Sequence, residues 1–359
     1  MIVRARAPLR LGLAGGGTDL SPYCDIYGGC VLNATIDRYA YAVIKELDDS
    51  CVRFASTDLQ LKKEFSADGV AASEGGFDLH KAVYNKMVHR YNQSKFIPLE
   101  LTTFCDAPAG SGLGSSSTLV IAMLKAFSEL LGLSLDDYTL ASLAYEIERV
   151  DCQLQGGRQD QYAAVFGGFN FMEFYEAGRV VVNQLRIKTN IICELEASLL
   201  LFYTGHSRDS AKIISTQCVN VKQGSVSAIE AMHKLKEEAR SMKDGLFKGD
   251  FSALVNSMRS GWENKKRLSS AVSNSHIDDI YDLAISAGAL AGKVSGAGGG
   301  GFMMFFVPPG KRSDVIRALN ASGGVASNCH FVEYGAQSWR VRDQKNLEHN
   351  NTCEDILLV

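Results

Sequence analysis

Residues 106–118 read DAPAGSGLGSSST, a stretch with three glycines, four serines and no charged residue after the first aspartate. A strand is predicted before it, at 97–104, and a helix after it, because Met123, Phe127 and Leu130 recur at spacings of four and three. The first amides of a helix have no partners within the helix and lie at the positive end of its dipole, and glycine lets a ligand approach the backbone. The segment therefore predicts a phosphate-binding loop.

Two other nucleotide-binding loops do not fit the chain. The P-loop pattern requires a lysine, which 106–118 lacks, and the nearest imitation at 288–293 is one residue short. Gly296, Gly298 and Gly301 match a dinucleotide fingerprint formally, but a strand is predicted directly after them, where the fingerprint requires a helix. A flexible turn followed by a serine-capped helix remains the alternative for 106–118.

Composition limits the class of protein. A chain of 359 residues with 46% apolar and 21% charged residues predicts either two domains or one closely packed pair of domains. A formal net charge of -3 gives no reason to expect nucleic acid or an anionic membrane as a partner. The nine cysteines are scattered and never in CxxC spacing, which favours free thiols in a reducing compartment over disulfides or zinc. No apolar run of about 18 residues and no apolar leader segment stands out, so a cytoplasmic protein is expected.

The patterning predicts an α+β protein whose character changes near 190–205. Strands are predicted over most of 1–47 and at 51–55, 168–174, 180–187, 198–203, 302–307 and 325–333. Helices are predicted at 78–91, 136–150, 211–222, 227–243, 251–268, 277–287 and 313–319, with Asp78 as the cap of the first. A loosely held tail is expected from Arg340 onward.

Three glycine-rich blocks follow one another: APLRLGLAGGGTDL at 7–20, PAGSGLGSSST at 108–118 and KVSGAGGGGFMM at 293–304. In this order and separation they resemble the GHMP kinases, the superfamily of galactokinase, homoserine kinase, mevalonate kinase and phosphomevalonate kinase. The resemblance covers about residues 1–335. It implies the GHMP kinase fold: a ribosomal-protein-S5-like amino-terminal domain at 1–195, a ferredoxin-like carboxy-terminal domain at 196–339 and a tail at 340–359.

The resemblance also implies ATP and Mg²⁺. The implied ATP contacts come from the middle block: Pro108, Gly110, Ser111, Gly112, Leu113, Gly114, Ser115, Ser116 and Ser117. Ser116 is the implied magnesium contact, together with a glutamate of a following helix. Glu148 is preferred over Glu146 because it shares a small-residue helix face with Ala144. A solvated helix glutamate is the alternative.

The base implied by the resemblance is the aspartate of QDQYAAVFGG, Asp160. It would accept the proton of the acceptor hydroxyl as the bond to phosphorus forms. Arg10 of the first block would hold Asp160 ionised and share the charge of the transition state. The alternatives are a helix cap for Asp160 and a solvent-facing strand arginine for Arg10.

Within the superfamily, GGGTD at 15–19 and YTGHSRDSAK at 203–212 resemble the sugar-1-kinases that act on D-glycero-D-manno-heptose 7-phosphate, with fucokinases as more distant cousins. The resemblance implies phosphorylation of the anomeric (C1) hydroxyl to give the 1,7-bisphosphate, a precursor of nucleotide-activated heptose for capsule or lipopolysaccharide. Thr18 and Asp19 could bind sugar hydroxyls, and a cationic cluster could bind the 7-phosphate. The predicted substrate contacts are Gly16, Gly17, Thr18, Asp19, Gly29, His206, Arg208, Lys212, Gly298 and Gly299.

Several alternatives stay open. The cationic cluster could be a solvated helix terminus, and the acceptor could be fucose, galactose or mannose. A sugar sensor without turnover and an ATP-using decarboxylase share the fold. A monomer or homodimer is expected.

Overall fold

Two long antiparallel strands organise the amino-terminal half in the computed structural model, which describes residues 1–66, 76–206 and 210–341. Strand β1 (Ile2–Ala14) pairs with β2 (Gly29–Glu46) along nearly its whole length. The register shifts between Pro8 and Arg10 and again between Gly12 and Ala14. Such bulges bend a strand and redirect its side chains, here beside the first glycine-rich block.

The remaining strands of this sheet lie on both sides of the β1–β2 pair. They are β3 (Val52–Ser56), β4 (Leu61–Phe65), β5 (Leu99–Cys105), β6 (Phe169–Phe174), β7 (Val180–Leu185) and β12 (Gln337–Val341). The order is β12-β1-β2-β5-β3-β4, with β6 on β2 and β7 on β6. The β3–β5 pair is parallel, and the other pairs are antiparallel.

Helices cover this sheet. They are α1 (Tyr23–Tyr27), α2 (Asp78–Tyr91), α3 (Ser115–Leu131), α4 (Asp137–Glu146) and α5 (Gln159–Phe166). Helix α3 is the central one, because its Val120, Met123, Leu124 and Phe127 are fully buried in the core that includes β1 and β2. The predicted contact Leu130 is only partly buried.

A second, antiparallel sheet belongs to the carboxy-terminal half. It has the order β11-β8-β10-β9, formed by β8 (Leu199–Tyr203), β9 (Ala291–Val294), β10 (Phe302–Phe306) and β11 (Val325–Ser327). Its helices are α6 (Thr189–Ser198), α7 (Ser210–Lys222), α8 (Val226–Lys248), α9 (Phe251–Lys266), α10 (Ser275–Ser286) and α11 (Arg312–Ala321). The predicted α+β class is confirmed.

One hydrophobic core joins the two halves. Leu11 and Leu32 of the first sheet lie in the same buried cluster as Met304 of β10. On the opposite face of β10, Met303 and Phe305 belong to another buried cluster. The FMMFF strand is therefore covered on both faces, which explains why it is continuously apolar. No helix among the described residues is long and apolar enough to cross a bilayer.

Several local predictions are wrong. Asp78 does not cap α2, because the capping position is Phe77, at a φ of 61° and without a side-chain bond. The helix predicted at 136–150 changes at Ile147–Asp151 into a π-helix. The strand predicted at 325–333 ends at Ser327, apart from one bridge between Phe331 and Ile36. Arg340 and Val341, expected in the tail, pair with β1.

Candidate functional site

The three glycine-rich blocks converge on one cleft of about 1630 Å³. The cleft lies between the two sheets, where β1, the loop before α3 and the loop after β9 approach each other. Its lining includes Gly12, Gly16, Gly17 and Asp19 from the first block, Gly110, Gly112, Gly114, Ser115, Ser116 and Ser117 from the second, and Lys293, Gly296 and Ala297 from the third.

The middle block forms a tight loop that ends at the amino terminus of α3. Gly110, Gly112 and Gly114 have φ values of 71°, 81° and 80°, which only glycine adopts readily. Helix α3 begins at Ser115 without a side-chain cap, so no side chain satisfies its first amides. These amides face a cleft lined by Ser115 and Ser116, which is the arrangement that binds anions.

Three predicted ATP contacts lie away from the cleft lining. Leu113 is fully buried in the shared core, and its carbonyl accepts a hydrogen bond from the amide of Arg10 at 3.1 Å. Ser111 is buried, and its carbonyl accepts from the amide of Phe302 at 2.9 Å. Pro108 is exposed outside the lining. Leu113 and Ser111 hold the loop against its neighbours through these backbone bonds, and the ATP contacts predicted for the three residues stay predictions.

The side chain of Glu148 contacts the first turn of α3 from a later segment of the chain. The Ser116 hydroxyl donates to its Oε1 at 3.2 Å, and the Gln161 amide bonds both Glu148 Oε2 and the Ser117 Oγ. Glu148 is 0% exposed, and its burial raises the pKa of the carboxyl. The hydroxyl of Ser116 and this carboxylate are hard oxygen ligands of the kind that Mg²⁺ prefers.

Glu146 is engaged elsewhere. Its carboxylate pairs with Lys86 at 2.9 Å and Arg90 at 3.2 Å, and the hydrogen bond from Lys86 lowers its pKa. The geometry therefore favours Glu148 as the metal ligand. Glu148 lies in the π-helix Ile147–Asp151 and not in a regular helix. Such segments are frequent at functional sites.

Arg10 and Asp160 form an ion pair at the end of the loop. Arg10 is 5% exposed, and its Nε and Nη2 donate to Asp160 Oδ1 at 2.7 and 2.6 Å. Its Nη1 donates to the carbonyl of Gly112 at 2.6 Å. A Cβ built on Gly114 would lie 3.2 Å from Asp160 Oδ2, so the carboxylate contacts the loop directly. A solvent-facing Arg10 and a capping Asp160 are both excluded, since Arg158 occupies the capping position.

Asp19 connects the first block to α5. Its Oδ1 accepts from the amide of Gly17 and its Oδ2 from the amide of Gln159, each at 3.2 Å. Thr18 instead is fully buried, and its hydroxyl donates to the carbonyls of Gly15 and Cys30.

Gly29 also acts inside the first block, because a Cβ there would lie 2.1 Å from the carbonyl oxygen of Thr18. Asp19 lines the cleft, whereas Thr18 and Gly29 do not. The sugar contacts predicted for Thr18 and Gly29 are corrected to a role in shaping the turn.

The structure describes the predicted cationic cluster only in part. Arg208 lies outside the described residues. His206 is exposed with its ring 5.2 Å from that of His276, and Lys212 is exposed; neither lines the cleft. Helix α7 directs a different face inward, formed by Ser210, Ala211, Ile214 and Gln217.

Gly298 and Gly299 also lie outside the lining. The amide of Gly299 donates to the carbonyl of Val272 at 2.8 Å, and a Cβ on Gly298 would lie 2.7 Å from the same oxygen. The predicted substrate contact of these two glycines is therefore corrected. They let the third block turn closely over Val272, and Gly296 and Ala297 line the cleft in their place.

Comparison with known proteins follows the same division. The model for the GHMP kinases N terminal domain matches residues 78–168, and that for the GHMP kinases C terminal domain matches 242–325. A D-glycero-alpha-D-manno-heptose 7-phosphate kinase of Campylobacter jejuni is 46% identical over 339 residues, covering 94% of this chain and 99% of that protein. The chain belongs to the GHMP kinase family.

Solved structures agree with this membership. A crystal structure described as a D-glycero-D-manno-heptose 1-phosphate kinase from Bacteroides thetaiotaomicron aligns with a TM-score of 0.81 and 44% identity, covering 95% of this chain and 100% of that one. The L-fucokinase/L-fucose-1-P guanylyltransferase of Bacteroides fragilis is 28% identical over 92% of this chain and 37% of that protein. The predicted fold and enzyme class, a phosphotransferase with an alcohol acceptor, are confirmed.

Two buried lysines of this GHMP kinase were missed by the sequence reasoning. Lys265 of α9 donates to the carbonyls of Gly296 at 2.6 Å and Gly16 at 3.5 Å. Lys293 of β9 donates to the carbonyls of Gly12 at 2.9 Å and Leu13 at 3.2 Å. Burial lowers the pKa of Lys265 to about 8 and that of Lys293 to about 7. Lys293 opens the third block, a signal that could have found it, whereas Lys265 lies in a basic NKKR run that is typical of a solvated helix end.

Gln217 of the same GHMP kinase was also missed. Its side-chain nitrogen is buried without a hydrogen-bond partner among the described residues. Its Oε1 would lie 3.6 Å from a Cβ on Gly17, so the amide faces the first block across the cleft. A buried unpaired amide is costly, which makes Gln217 a candidate for contact with a polar ligand.

Proposed function

We propose that this GHMP kinase transfers the γ-phosphoryl group of ATP to the anomeric (C1) hydroxyl of D-glycero-D-manno-heptose 7-phosphate, giving the 1,7-bisphosphate. The observation that carries the reaction is the position of Asp160, which lies against Gly114 at the end of the loop while Arg10 holds it from behind. The acceptor is supported by the 46% identity to the Campylobacter enzyme over 99% of its length.

Phosphoryl transfer depends on positioning and charge more than on covalent chemistry. The amides at the start of α3 and the glycine loop would hold the triphosphate. Asp160 Oδ2, the oxygen not bonded to Arg10, would accept the proton of the C1 hydroxyl as the new oxygen–phosphorus bond forms and the bond to ADP breaks. Arg10 would then share the charge of the transferring group.

Mg²⁺ would bind at Ser116 and Glu148. The hydroxyl and the carboxylate fit a hard cation, and the raised pKa of the buried Glu148 indicates a group that gains from a nearby positive charge. When bound with ATP, the ion neutralises phosphate charge. Glu148 and Ser116 orient that charge relative to the loop.

The acceptor would lie on the side of the cleft opposite α2. Asp19 accepts two backbone hydrogen bonds there and still offers carboxylate lone pairs to sugar hydroxyls. Gln217 would supply an amide donor. The relatives differ on where the acceptor already carries its phosphate, since one is described as a 7-phosphate kinase and one as a 1-phosphate kinase. The 7-phosphate is favoured by the Campylobacter relative, which is 46% identical over 94% of this chain and is described as a 7-phosphate kinase.

A coupled assay of ADP release with ATP, Mg²⁺ and a panel of acceptors tests the proposal. The panel contains heptose 7-phosphate, heptose 1-phosphate, free heptose, fucose, galactose and mannose. We expect the highest kcat/KM with heptose 7-phosphate and, by phosphorus NMR, a product phosphorylated at C1. Preference for a sugar without phosphate or for heptose 1-phosphate would contradict the acceptor. Ligand binding with no ADP release from any acceptor would indicate a sensor.

The wider setting is proposed on the same basis. The product would feed nucleotide-activated heptose for capsule or lipopolysaccharide, in the cytoplasm where ATP is available, from a monomer or homodimer. The proposed division into 1–195 and 196–339 places the boundary inside α6.

A further inference from the structure

Lys265 and Lys293 are buried cations without a counter-ion. Among the ion pairs of the described residues neither lysine has a carboxylate partner, although Lys265 is 4% exposed and Lys293 is 6% exposed. Both side chains line the cleft. Burying an unpaired ammonium group is costly, so a protein that keeps two of them beside a cleft gains from an anion that binds there.

Lys265 has hydrogen-bonding capacity left for such an anion. An ammonium group has three donors. One is used in a short bond to the carbonyl of Gly296, and the contact to the carbonyl of Gly16 is long, at 3.5 Å. The head group is thus fixed between the first and third glycine-rich blocks, and at least one donor remains for the cleft.

The neighbouring carboxylates are bonded by groups other than the two lysines. Asp160 of α5 pairs with Arg10 of β1, and the carboxylate of Asp19 is held by backbone amides. Glu238, which acts electrostatically on Lys293, accepts hydrogen bonds from two side chains of α9. The two lysines therefore have no ion-pair partner among the described residues.

We propose that Lys265 donates a hydrogen bond to a phosphoryl oxygen on the acceptor side of the cleft, with Lys293 adding charge and fixing the carbonyls at the end of β1. This inference rests on the proposed function and extends it with a residue for phosphate recognition. The oxygen belongs either to the phosphate that the acceptor already carries or to the phosphoryl group in transfer. This buried ammonium on α9 is separate from His206 and Lys212, which do not line the cleft.

The proposal predicts proton uptake. An anion next to Lys265 favours the charged ammonium and so raises the pKa of Lys265, which burial has lowered. At a pH above the pKa of Lys265 in the ligand-free protein, phosphate binding is therefore accompanied by proton uptake. The charged groups that act on Lys265 are Asp19, Arg10, Asp160 and Lys293, and all four are unchanged in the Lys265 variants. A lysine with a purely structural role would show no such uptake.

The experiment compares Lys265→Met with Lys266→Met. Lys266 is the adjacent, partly exposed lysine, which pairs with Glu263 at 2.9 Å. Kinetics are measured with heptose 7-phosphate and with free heptose. A rise of roughly 10- to 100-fold in KM for heptose 7-phosphate alone identifies the acceptor's phosphate. A similar fall in kcat with both acceptors would show that Lys265 binds the phosphoryl group in transfer. Either result supports Lys265, and kinetics equal to those of Lys266→Met overturn the proposal.

Calorimetry gives a readout that does not depend on turnover. Inorganic phosphate is titrated into the wild type and both variants at about pH 8.5 in buffers of different ionisation enthalpy. Proton uptake by the wild type and Lys266→Met but not by Lys265→Met supports the proposal, and equal uptake by all three overturns it. If Lys265→Met does not fold, Lys265→Arg replaces it and is expected to keep the preference for phosphosugar. Wild-type turnover of heptose 7-phosphate tests the proposed function separately.

Discussion

Asp160 uses its two carboxylate oxygens differently. Oδ1 accepts both donors of Arg10, and Oδ2 lies beside Gly114. One oxygen is therefore held by the protein, and the other remains for a hydroxyl between the loop and the first block. This asymmetry is what a positioned proton acceptor requires.

Asp160→Asn is expected to lower kcat by about 100-fold or more, because an amide oxygen accepts a proton far less well than a carboxylate. The KM for ATP should change little. The melting temperature should fall, because the buried Arg10 keeps an oxygen to bond but loses its charged partner. Steady-state kinetics and a melting curve measure both. The matched control is Asp137→Asn in the first turn of α4, on the exposed surface. Wild-type kcat in Asp160→Asn would contradict the assignment.

Glu148→Gln separates stability from activity. Burial raises the pKa of Glu148, so between its ordinary pKa and the raised one the folded state keeps a proton that the unfolded state has lost. Stability falls as the pH rises through this interval, and the cost of the buried charge remains above it. Removing that charge should leave the melting temperature of the ligand-free protein unchanged or higher at neutral pH.

The same variant should lose activity by about 100-fold, with a raised Mg²⁺ requirement. Its control, Glu146→Gln, breaks the ion pairs with Lys86 and Arg90 and should cost about 0.5 kcal/mol of stability with activity retained. A Glu148→Gln protein with a normal magnesium dependence would exclude Glu148 as the metal ligand.

At the scale of elements, the conformation of the loop in the middle block depends on close packing against the third block. The carbonyl of Gly112 accepts hydrogen bonds from Arg10 and from the Ser295 hydroxyl. A Cβ on Gly112 would lie 2.5 Å from the carbonyl oxygen of Ser295. Because Gly112 has no side chain, the loop can pack directly between Arg10 and Ser295.

Gly112→Ala should cost about 1–3 kcal/mol of unfolding free energy, because it combines a left-handed φ with a steric clash. The KM for ATP should rise as the loop moves away from Ser295. Gly132→Ala is a matched control, since Gly132 also has a positive φ, 65°, with no atom within 4 Å of its Cβ. Chemical denaturation and ATP kinetics distinguish the two. Equal effects would show that the clash has no role.

Gln217 of helix α7 is the residue proposed to donate to the acceptor. Gln217→Leu fills the same volume without a donor and should raise the acceptor KM by about 10-fold at an unchanged KM for ATP. Thr216→Ala, on the exposed side of the helix, is the control. An unchanged acceptor KM in Gln217→Leu would show that the unpaired amide serves packing alone.

Much of this architecture could be predicted at the element scale. The loop before α3 and the order of the three blocks were readable because glycine and serine patterns encode a local backbone geometry. The sequence favoured Glu148 over Glu146 because regular helical spacing places Glu148 on the same face as Ala144. The π-helix that contains Glu148 does not follow that spacing, so the spacing argument was incomplete. Lys265 could not be found, because a buried lysine and a solvated one have the same sequence signal until the tertiary contacts of Gly16 and Gly296 are known.

At the scale of the whole molecule, both buried lysines connect stability to pH. Their pKa values, about 8 and about 7, lie below the usual 10.5. Between these values and 10.5 the unfolded chain binds more protons than the folded one, so their contribution makes the folded state more stable as the pH rises.

The ligand-free protein should therefore gain on the order of 1 kcal/mol per pH unit from these two groups between about pH 7 and pH 9. Urea denaturation at several pH values measures this gain. Cysteines and tyrosines also titrate toward the upper end of this pH range. The quantity to compare is therefore the difference in unfolding free energy between the wild type and the Lys265→Met, Lys293→Met double variant. Parallel curves for the two proteins would show that the lysines are not perturbed.

The pairing of β12 with β1 has a consequence for how the enzyme is made. Strand β1 carries Arg10, yet its neighbours at the cleft and at the sheet edge, Lys293 and β12, come much later in the chain and are synthesised after it. A nascent chain therefore cannot assemble a working centre early in translation. Premature release upstream of the third block would yield a fragment without Ser295 and Lys293, which bond the carbonyls of Gly112 and Gly12, and such a fragment would lack a complete cleft.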